Sequence, residues 1–392
     1  MKRTQLAILI LLVVVLGAGA FVLVKRRTTS WASRTDYLPE KVVSLPINDV
    51  AQVTIQQPEI QVNLRKKGDT WVVVERADYP ANFEMVSTLI RKTWELKPVQ
   101  EVRVGPSQLG RLSLLPPGKG ADSGTLVDFK NAEGKRLAAL LFGKKYMRES
   151  NQSFAAGRNF PAGRYVMAED GSHHVDLVSE PFQQIDGKPE TWLDRGFVKI
   201  EKPTTIAVSG SSPAMNWKLE REQGSKEWKL ADAQPQEHLD AAKANQLTNA
   251  LNGISSFTDI LTSDSKPESV GLDKPTTVTV TTEDGFNYVL RVGNPVEQSY
   301  ALTVSASANL ASARTPSKDE KPEDKTKLDK EFQTRHETLE KKLASEKKLE
   351  GRVFLVPKYG IEQLKKNRAD LLATPTPAPT PSRSPVAKPK AK

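Results

Sequence analysis

The stretch that decides the fold is residues 270–285, which read Val270-Gly271-Leu272-Asp273-Lys274-Pro275-Thr276-Thr277-Val278-Thr279-Val280-Thr281-Thr282-Glu283-Asp284-Gly285. Val278 and Val280 alternate with threonines, which is the period of two of a half-buried strand. Asp284-Gly285 favours a two-residue hairpin turn, because glycine tolerates positive φ. The chain returns as an alternating strand over 288–292, which we expect to end at Gly293. The stretch therefore predicts an antiparallel hairpin.

A hairpin of the same form lies earlier in the chain. Residues 126–129 have the composition of a strand, and Glu133-Gly134 supplies the turn. The returning strand over 137–142 is expected to end at Gly143. The pattern of residues 270–293 therefore occurs twice.

The two copies match over a longer span. Trp71 corresponds to Trp228, and each tryptophan is followed by an Ala-Asp pair and then by a helical pattern. We predict that both tryptophans occupy equivalent buried positions. Residues 163–167 are also matched to residues 351–355, as closing strands. The shared order predicts an α+β fold with two duplicated domains, each an antiparallel sheet plus a helix.

The two predicted helices have one apolar face each, with Asn82 as the N-cap of the first. The predicted faces are Phe83, Val86, Ile90 and Trp94 in the first helix, and Ala244, Leu247, Leu251 and Ile254 in the second.

These patterns divide the chain into four segments. Residues 1–27 are predicted to form a membrane anchor and residues 28–199 the first α+β repeat. Residues 200–372 form the second repeat with a charged insertion at 305–350, and residues 373–392 a Pro-rich, basic, disordered tail.

The N-terminal segment contains an uninterrupted apolar run. Leu6 to Val24 is 19 residues without a polar or charged side chain, long enough at about 1.5 Å per residue to span a hydrocarbon core of roughly 30 Å. Ala18-Gly19-Ala20 also has the form of a signal-peptidase site, so cleavage after Ala20 is the alternative. We favour an uncleaved anchor, because the apolar run continues beyond Ala20. Two basic residues precede the run and three follow it, so the count of positive charges leans weakly against export of the domains, although a short N-terminal tail before a large domain is the usual form of a signal-anchor.

The charge of the chain is concentrated at its ends. Nine of the ten net positive charges lie in residues 1–27 and 374–392, so the region between them is nearly neutral. A nucleic-acid-binding face is therefore not predicted. The chain has no cysteine, which excludes disulfides, thiol catalysis and cysteine metal sites.

The charged insertion has balanced charges. Residues 317–350 carry ten basic and ten acidic side chains. An apolar stripe is thin, and consists of Leu328, Phe332, Leu339 and Leu343. The pattern predicts an exposed helix or a partly disordered insertion, with partner binding through the stripe as the alternative.

The sequence contains no recognisable catalytic, cofactor-binding or metal-binding constellation. His173 and His174 are neighbours after a predicted turn, where they point to opposite faces, and we interpret them as surface residues. His238 and His336 have no spaced partner, and neither a P-loop nor a nucleophile elbow occurs. Trp192, at the junction of the copies, is predicted to pack one domain against the other, with ligand stacking as the alternative.

The chain resembles a bacterial membrane-anchored family of unknown function, domain-of-unknown-function family 4340. The resemblance rests on the apolar span, residues 50–55, Trp71, residues 271–275 and residues 192–195, together with Asp284-Gly285 and Gly293. The family is associated with ABC-type transport systems, which implies an accessory role in the cell envelope. The insertion and the tail depart from the family pattern.

We therefore expect a non-enzymatic, single-pass protein of the bacterial cytoplasmic membrane, with the bulk of the chain outside the cytoplasm. Its expected partners are the membrane and subunits of an ABC-type transporter. We expect it to bind no cofactor and no nucleic acid. The alternatives are a module that binds envelope polysaccharide or cell wall, and a hydrolase whose site is not visible in the sequence.

Overall fold

The computed structural model describes residues 40–149, 159–262, 266–316 and 320–374. The described chain forms two compact units, which divide between Asp194 and Arg195. Each unit contains one large antiparallel sheet, so the predicted α+β class with antiparallel sheets is confirmed.

The first unit is a nine-stranded sheet with the order β4-β3-β2-β1-β6-β7-β8-β9-β5 and a helix, α1, between β4 and β5. The elements are β1 Gln52–Gln56, β2 Gln61–Lys67, β3 Thr70–Val73, β4 Tyr79–Pro80, α1 Phe83–Trp94, β5 Pro98–Val102, β6 Thr125–Lys130, β7 Arg136–Glu149, β8 Asn159–Ala168 and β9 Val175–Val178.

The second unit is an eight-stranded sheet with the order β12-β11-β10-β14-β15-β16-β17-β13. The elements are β10 Pro203–Ser209, β11 Trp217–Glu220, β12 Lys229–Leu230, α2 Ala241–Gly253, β13 Asp259–Ile260, β14 Thr276–Thr282, β15 Phe286–Val296, β16 Ser299–Ala308, α3 Pro322–Lys347, β17 Phe354–Pro357 and α4 Lys358–Leu364.

The two sheets have the same strand order once β4 is set aside. The predicted hairpin turns are confirmed: Gly285 has φ +82° and Gly134 has φ +80°, and each donates its N–H back across its turn. The strand pattern of residues 276–282 is confirmed as well, because Val278 and Val280 are fully buried while Thr279 is exposed.

The predicted strand ends at Gly143 and Gly293 are wrong. β7 and β15 both continue through their glycines, with an irregularity in strand pairing at each one. Each glycine lies under a backbone carbonyl, and a Cβ would lie 2.3 Å from the Leu112 oxygen at Gly143 and 2.1 Å from the Val270 oxygen at Gly293. Each glycine is therefore needed because another segment of the same polypeptide packs directly against the strand at that point.

The match of residues 351–355 to residues 163–167 is also wrong. Residues 163–167 lie in β8, whose counterpart in the strand order is β16, whereas Phe354 begins β17, the counterpart of β9. The insertion accordingly lies between β16 and β17, after Ala308 and not after Val304. The predicted insertion, residues 305–350, overlaps the last four residues of β16, and no counterpart of β8 is predicted before it.

The prediction that Trp71 and Trp228 occupy equivalent positions is confirmed, and the prediction that both are buried is wrong for Trp228. Val73 in β3 pairs with Leu64 in β2, and Leu230 in β12 pairs with Leu219 in β11. Each tryptophan lies two residues before the first residue of its pair, Val73 or Leu230, so the two occupy matching points of the two sheets. Trp71 is 5% exposed. Trp228 is only half-buried, and the Arg221 guanidinium lies 4.9 Å from its ring centroid.

The first helix begins as predicted, because Asn82 caps α1 by accepting a hydrogen bond from the Met85 N–H. The predicted face of α1 is half wrong, because Phe83 and Trp94 are exposed and Leu89 and Thr93 are buried in their place. The predicted face of α2 is confirmed, since all four of its residues are buried.

No helix in the described parts of the chain is long and apolar enough to cross a membrane. The predicted anchor, residues 6–24, lies outside the described residues, as does nearly all of the predicted tail, residues 375–392.

Candidate functional site

A groove lies between α1 and the segment that follows β9 in the first unit. Its volume is about 250 Å³, below the ~300–1,000 Å³ of typical small-molecule sites. We call it the α1 groove, and its lining residues are Met85, Thr88, Leu89, Lys92, Glu180, Pro181, Phe182, Gln183, Gln184, Ile185 and Trp192. A cavity of this size accommodates one or two apolar side chains.

The floor of the α1 groove is apolar and its rim is polar. Leu89, Phe182 and Ile185 are each less than 10% exposed. At the rim, the Lys92 Nζ lies 3.0 Å from the Glu180 carboxylate, with both side chains about one-third exposed. An exposed ion pair of this kind contributes only about 0–1 kcal/mol, so it can open to admit a charged partner.

The groove wall is held in an unusual backbone conformation. Phe182 has φ +46°, in the left-handed region that non-glycine residues rarely adopt. Its N–H donates to the Glu180 side chain at 3.2 Å, and its carbonyl accepts from Arg164 at 2.9 Å. Its ring packs on Phe142, with centroids 4.8 Å apart. Such conformations cost about 1–3 kcal/mol and persist where the surroundings enforce them.

Arg164 is the buried support of this wall. Its side chain donates to the carbonyl oxygens of Gly143 and Phe182, both at 2.9 Å. Burial lowers the pKa of Arg164 to about 10, so the guanidinium remains charged at neutral pH. A single side chain thus connects the strand at Gly143 to the groove.

Trp192 is buried near the end of the first unit, where it is hydrogen-bonded to the start of α1. It is 1% exposed, and its indole N–H donates to the Asp186 carbonyl at 2.7 Å. Its own carbonyl accepts from the Asn82 N–H at the start of α1. The side chain has no free face for ligand stacking, and the prediction that it packs between domains is not addressed by these contacts.

The second unit has the same hydrogen bond near its end. Leu371 accepts from the Asp240 N–H at the start of α2, as Trp192 does at the start of α1. An isolated bridge follows each, between Leu239 and Leu372 and between Ala81 and Leu193. The segments after β9 and after β17 are therefore topological equivalents.

These equivalent segments differ in how they cover the helix. In the second unit the segment forms α4, with Gly360, Ile361 and Leu364 buried, and α4 contacts α2. A Cβ on Gly360 would lie 3.1 Å from the Ala250 carbonyl, so the two helices meet closely. Lys92 stands at the position of Ala250, ten residues after the N-cap. The α1 groove lies between α1 and the residues that follow β9, which hold the place of α4 in the first unit.

A family model described as a domain of unknown function, DUF4340, matches residues 71–275, more than half of the chain. The chain belongs to this family. No curated protein and no solved structure matches it.

The DUF4340 match runs from β3 to the turn before β14, and it includes the entire lining of the α1 groove. It ends before α3 and α4. The groove therefore lies within the matched region, and α4 lies outside it.

His174 lies beside the buried carboxylate of Asp176, within the region that matches DUF4340. The His174 Nε2 is 3.3 Å from the Asp176 carboxylate, and its Nδ1 is 3.9 Å from that of Glu101. Asp176 is 3% exposed, and burial raises its pKa. His173 is exposed, as predicted, whereas His174 is half-buried. Among the described residues, no group of three or more potential ligands is arranged to hold a metal ion.

Glu346 is a buried carboxylate that the sequence analysis missed. It lies near the end of α3, is 3% exposed, and accepts from the Tyr288 hydroxyl at 2.9 Å and the Lys199 N–H at 3.0 Å. Burial raises the pKa of Glu346, and raises the pKa of Tyr288 as well. The predicted exposed insertion is thus attached to its unit. Periodicity was the available signal, because 339, 343 and 346 share one helical face.

Proposed function

We propose that this protein is a non-enzymatic accessory or scaffold protein that binds a short helical segment of a partner protein in the α1 groove. The observation that carries this proposal is the difference between the two units. In the second unit the segment after β17 forms helix α4 against α2, whereas in the first unit the segment after β9 forms no helix over residues 179–188 and leaves a groove of about 250 Å³ beside α1. A helix from another protein would insert one or two side chains into this groove, between α1 and that segment.

The chemistry of the groove supports a protein segment as the occupant. Leu89, Phe182 and Ile185 offer apolar contacts to one or two inserted side chains. Lys92 and Glu180 lie at the rim, where they can pair with charges on either side of an inserted residue. This arrangement suits an amphipathic helix, with apolar anchors and a polar outer face.

We propose further that residues 6–24 hold the protein in the bacterial cytoplasmic membrane as a single span, with the units outside the cytoplasm. This step rests on the length and composition of the apolar run alone. The matching strand orders of the units support an origin by internal duplication. The proposal of an ABC-type transporter as the partner rests on the family resemblance.

The test is co-purification of the full chain from its own membranes in mild detergent. We expect permease or ATPase subunits of an ABC-type transporter to be recovered with the wild-type protein. Thr88→Arg places a long charged side chain in the groove and should abolish this recovery. Gln246→Arg is the matched control, because Gln246 is the exposed equivalent of Thr88 on α2.

Three results bear on the proposal. Equal recovery of transporter subunits by both variants would exclude the groove as the binding site. Recovery of wall polymer or polysaccharide in place of transporter subunits would favour the alternative function, a module that binds the envelope. Release of the full chain from membranes by carbonate washing would overturn the anchor.

A further inference from the structure

The first unit carries a two-stranded arm that extends beyond its sheet. β7 pairs with β6 only over 136–142, and β8 pairs with β9 only over 164–167. Beyond these points the two strands pair only with each other in the described chain, from Lys145 opposite Arg164 to Glu149 opposite Asn159. We call residues 144–149 and 159–163 the distal arm.

The distal arm exposes large apolar side chains. Tyr146 is 41% exposed, Met147 46% and Phe160 45%. They make up three of the eight large apolar residues that are exposed in the described chain. Exposed apolar residues in one place indicate a binding surface, whereas scattered single residues do not.

The same arm is cationic. Lys144, Lys145 and Arg148 are exposed, against the single acidic residue Glu149 in the arm's sequence. The described ion pairs include none of the three cations. Cationic and aromatic side chains are therefore available together on one narrow element.

The equivalent hairpin of the second unit has none of these features. β15 and β16 are joined at Glu297-Gln298, and β17 pairs with β16 from Ser299 onward. No large apolar side chain is exposed in β15 or β16. Since the second sheet forms without such an arm, the fold does not require it.

Lipid headgroups match the arm's composition. Tyrosine and phenylalanine favour the membrane interface, and lysine and arginine are attracted to anionic lipid. The pairing irregularity between Tyr146 and Met147 shows that the arm is not a flat edge for adding a strand. An acidic protein surface is the rival occupant, and it would use the charges without needing the exposed apolar side chains.

The tether makes this contact accessible. Residues 25–39 connect the apolar run to the described chain, and 15 residues span at most about 50 Å when extended. A tethered arm meets the bilayer at a high effective concentration, so weak interfacial binding is sufficient.

We propose that the distal arm docks on the surface of an anionic bilayer, with Tyr146, Met147 and Phe160 at the headgroup level and Lys144, Lys145 and Arg148 on the anionic lipid. The proposal rests on the membrane attachment proposed above. It is independent of the α1 groove, because none of these residues lines that groove.

The test uses the absence of cysteine from the chain, which allows a single label. Met147→Cys in the full chain carries an environment-sensitive fluorophore, and the protein is reconstituted into nanodiscs of phosphatidylcholine or of equal parts phosphatidylcholine and phosphatidylglycerol. We expect a blue shift of emission only in the anionic discs, and its loss in 1 M salt, where the Debye length is about 3 Å. A label at Gln298→Cys, at the tip of the equivalent hairpin, should show no shift.

Charge removal gives the quantitative test. Replacing Lys144, Lys145 and Arg148 by glutamine should lower the docking equilibrium constant roughly 100-fold, about fivefold for each charge, which corresponds to about 1 kcal/mol per residue. Arg91→Gln, Lys97→Gln and Lys188→Gln, at exposed positions of the same unit, should leave docking unchanged.

The outcomes separate the two proposals. Failure of the protein to enter nanodiscs would overturn the attachment and, with it, the docking. Entry without a blue shift in anionic discs would overturn the docking alone. A blue shift that appears only when an acidic protein is added would assign the arm to a protein partner.

Discussion

A β-carbon on Gly293 would lie 2.1 Å from the carbonyl oxygen of Val270, at the end of the 3-10 helix Pro267–Val270. Gly143 has the same relationship to Leu112, at the end of the 3-10 helix Pro106–Leu112, with a distance of 2.3 Å. In both units the last carbonyl of a 3-10 helix thus packs against a glycine in a strand. Substitution of these glycines tests whether the two units share this contact.

Gly293→Ala should destabilise the second unit and Gly143→Ala the first. The added methyl group would overlap a backbone oxygen that cannot move without shifting a strand, and overpacking costs about 1–3 kcal/mol or more. Hydrogen exchange of the full chain in detergent would measure the loss of protection in each unit separately. Gly253→Ala is the control, because nothing lies within 4 Å of its added Cβ, and it should be neutral or stabilising. Equal protection in all three variants would refute this contact.

The two tryptophans should differ in their contribution to stability. Trp71→Ala removes a buried indole and should cost about 3–5 kcal/mol in the first unit. Trp228→Ala removes a half-buried ring with a cation–π contact to Arg221, worth about 0.5–1 kcal/mol at an exposed site, and should cost less than half as much. Denaturant unfolding monitored by hydrogen exchange in each unit measures both. A larger cost at Trp228 would contradict the difference in burial between the two rings.

Equivalent positions on α1 and α2 should differ in their sensitivity to substitution. Ala250→Lys should destabilise the second unit by several kcal/mol, because Ala250 is 2% exposed and the buried Gly360 lies over it. Lys92→Ala should change the stability of the first unit by no more than about 1 kcal/mol, since it removes an exposed ion pair. Thermal unfolding of each variant is the measurement. A large loss of stability in Lys92→Ala would mean that Lys92 at the rim of the α1 groove stabilises the first unit.

Local patterns predicted local structure well and failed where distant chain segments meet. Alternation placed Val278 and Val280 in the core, and a polar residue before an apolar helix identified Asn82 as a cap. Nothing local distinguishes a glycine that ends a strand from one that admits a carbonyl, so Gly143 and Gly293 were misread.

The candidate sites show the same division. The open α1 groove depends on which segment returns to each helix, and that segment is distant in sequence from both Lys92 and Ala250. The buried role of Glu346 was concealed by the charged residues around it. Its partners Tyr288 and Lys199 are 58 and 147 residues away.

The pH dependence of stability should depend on Asp176. Burial raises the pKa of Asp176 in the folded protein, with His174 and Glu101 as its charged neighbours. A raised pKa means that this group's stabilisation is present below the unfolded value, near 3.9, and is lost as pH rises through the folded value. Asp176→Asn should therefore gain stability relative to the wild type as pH rises from 4 to 7.

Asp170 provides the control for this prediction. Hydrogen bonds from Ser172 lower the pKa of Asp170, so its stabilisation is present above the unfolded value and is lost as pH falls. Asp170→Asn should therefore show the opposite trend or none. Urea unfolding at several pH values measures both, and a constant difference between Asp176→Asn and the wild type would contradict the assignment.

The attachment of α3 should depend on Glu346. Glu346→Ala removes the acceptor of the Lys199 N–H, and an unsatisfied buried group costs about 1–3 kcal/mol. It also removes one of the two acceptors of the Tyr288 hydroxyl, the other being the Lys199 carbonyl at 3.3 Å. We expect α3 to lose hydrogen-exchange protection over its last three turns, while β14 and β15 retain theirs. Glu337→Ala, an exposed position on the same helix, should leave the protection unchanged.

A double-mutant cycle would separate this bond from a general effect of the buried carboxylate. Tyr288→Phe removes only the hydroxyl, and the Glu346→Ala/Tyr288→Phe variant should be less destabilised than the sum of the single variants. We expect a coupling of roughly 0.5–3 kcal/mol, as for residues in direct contact. Additive costs would show that the two side chains stabilise the protein independently.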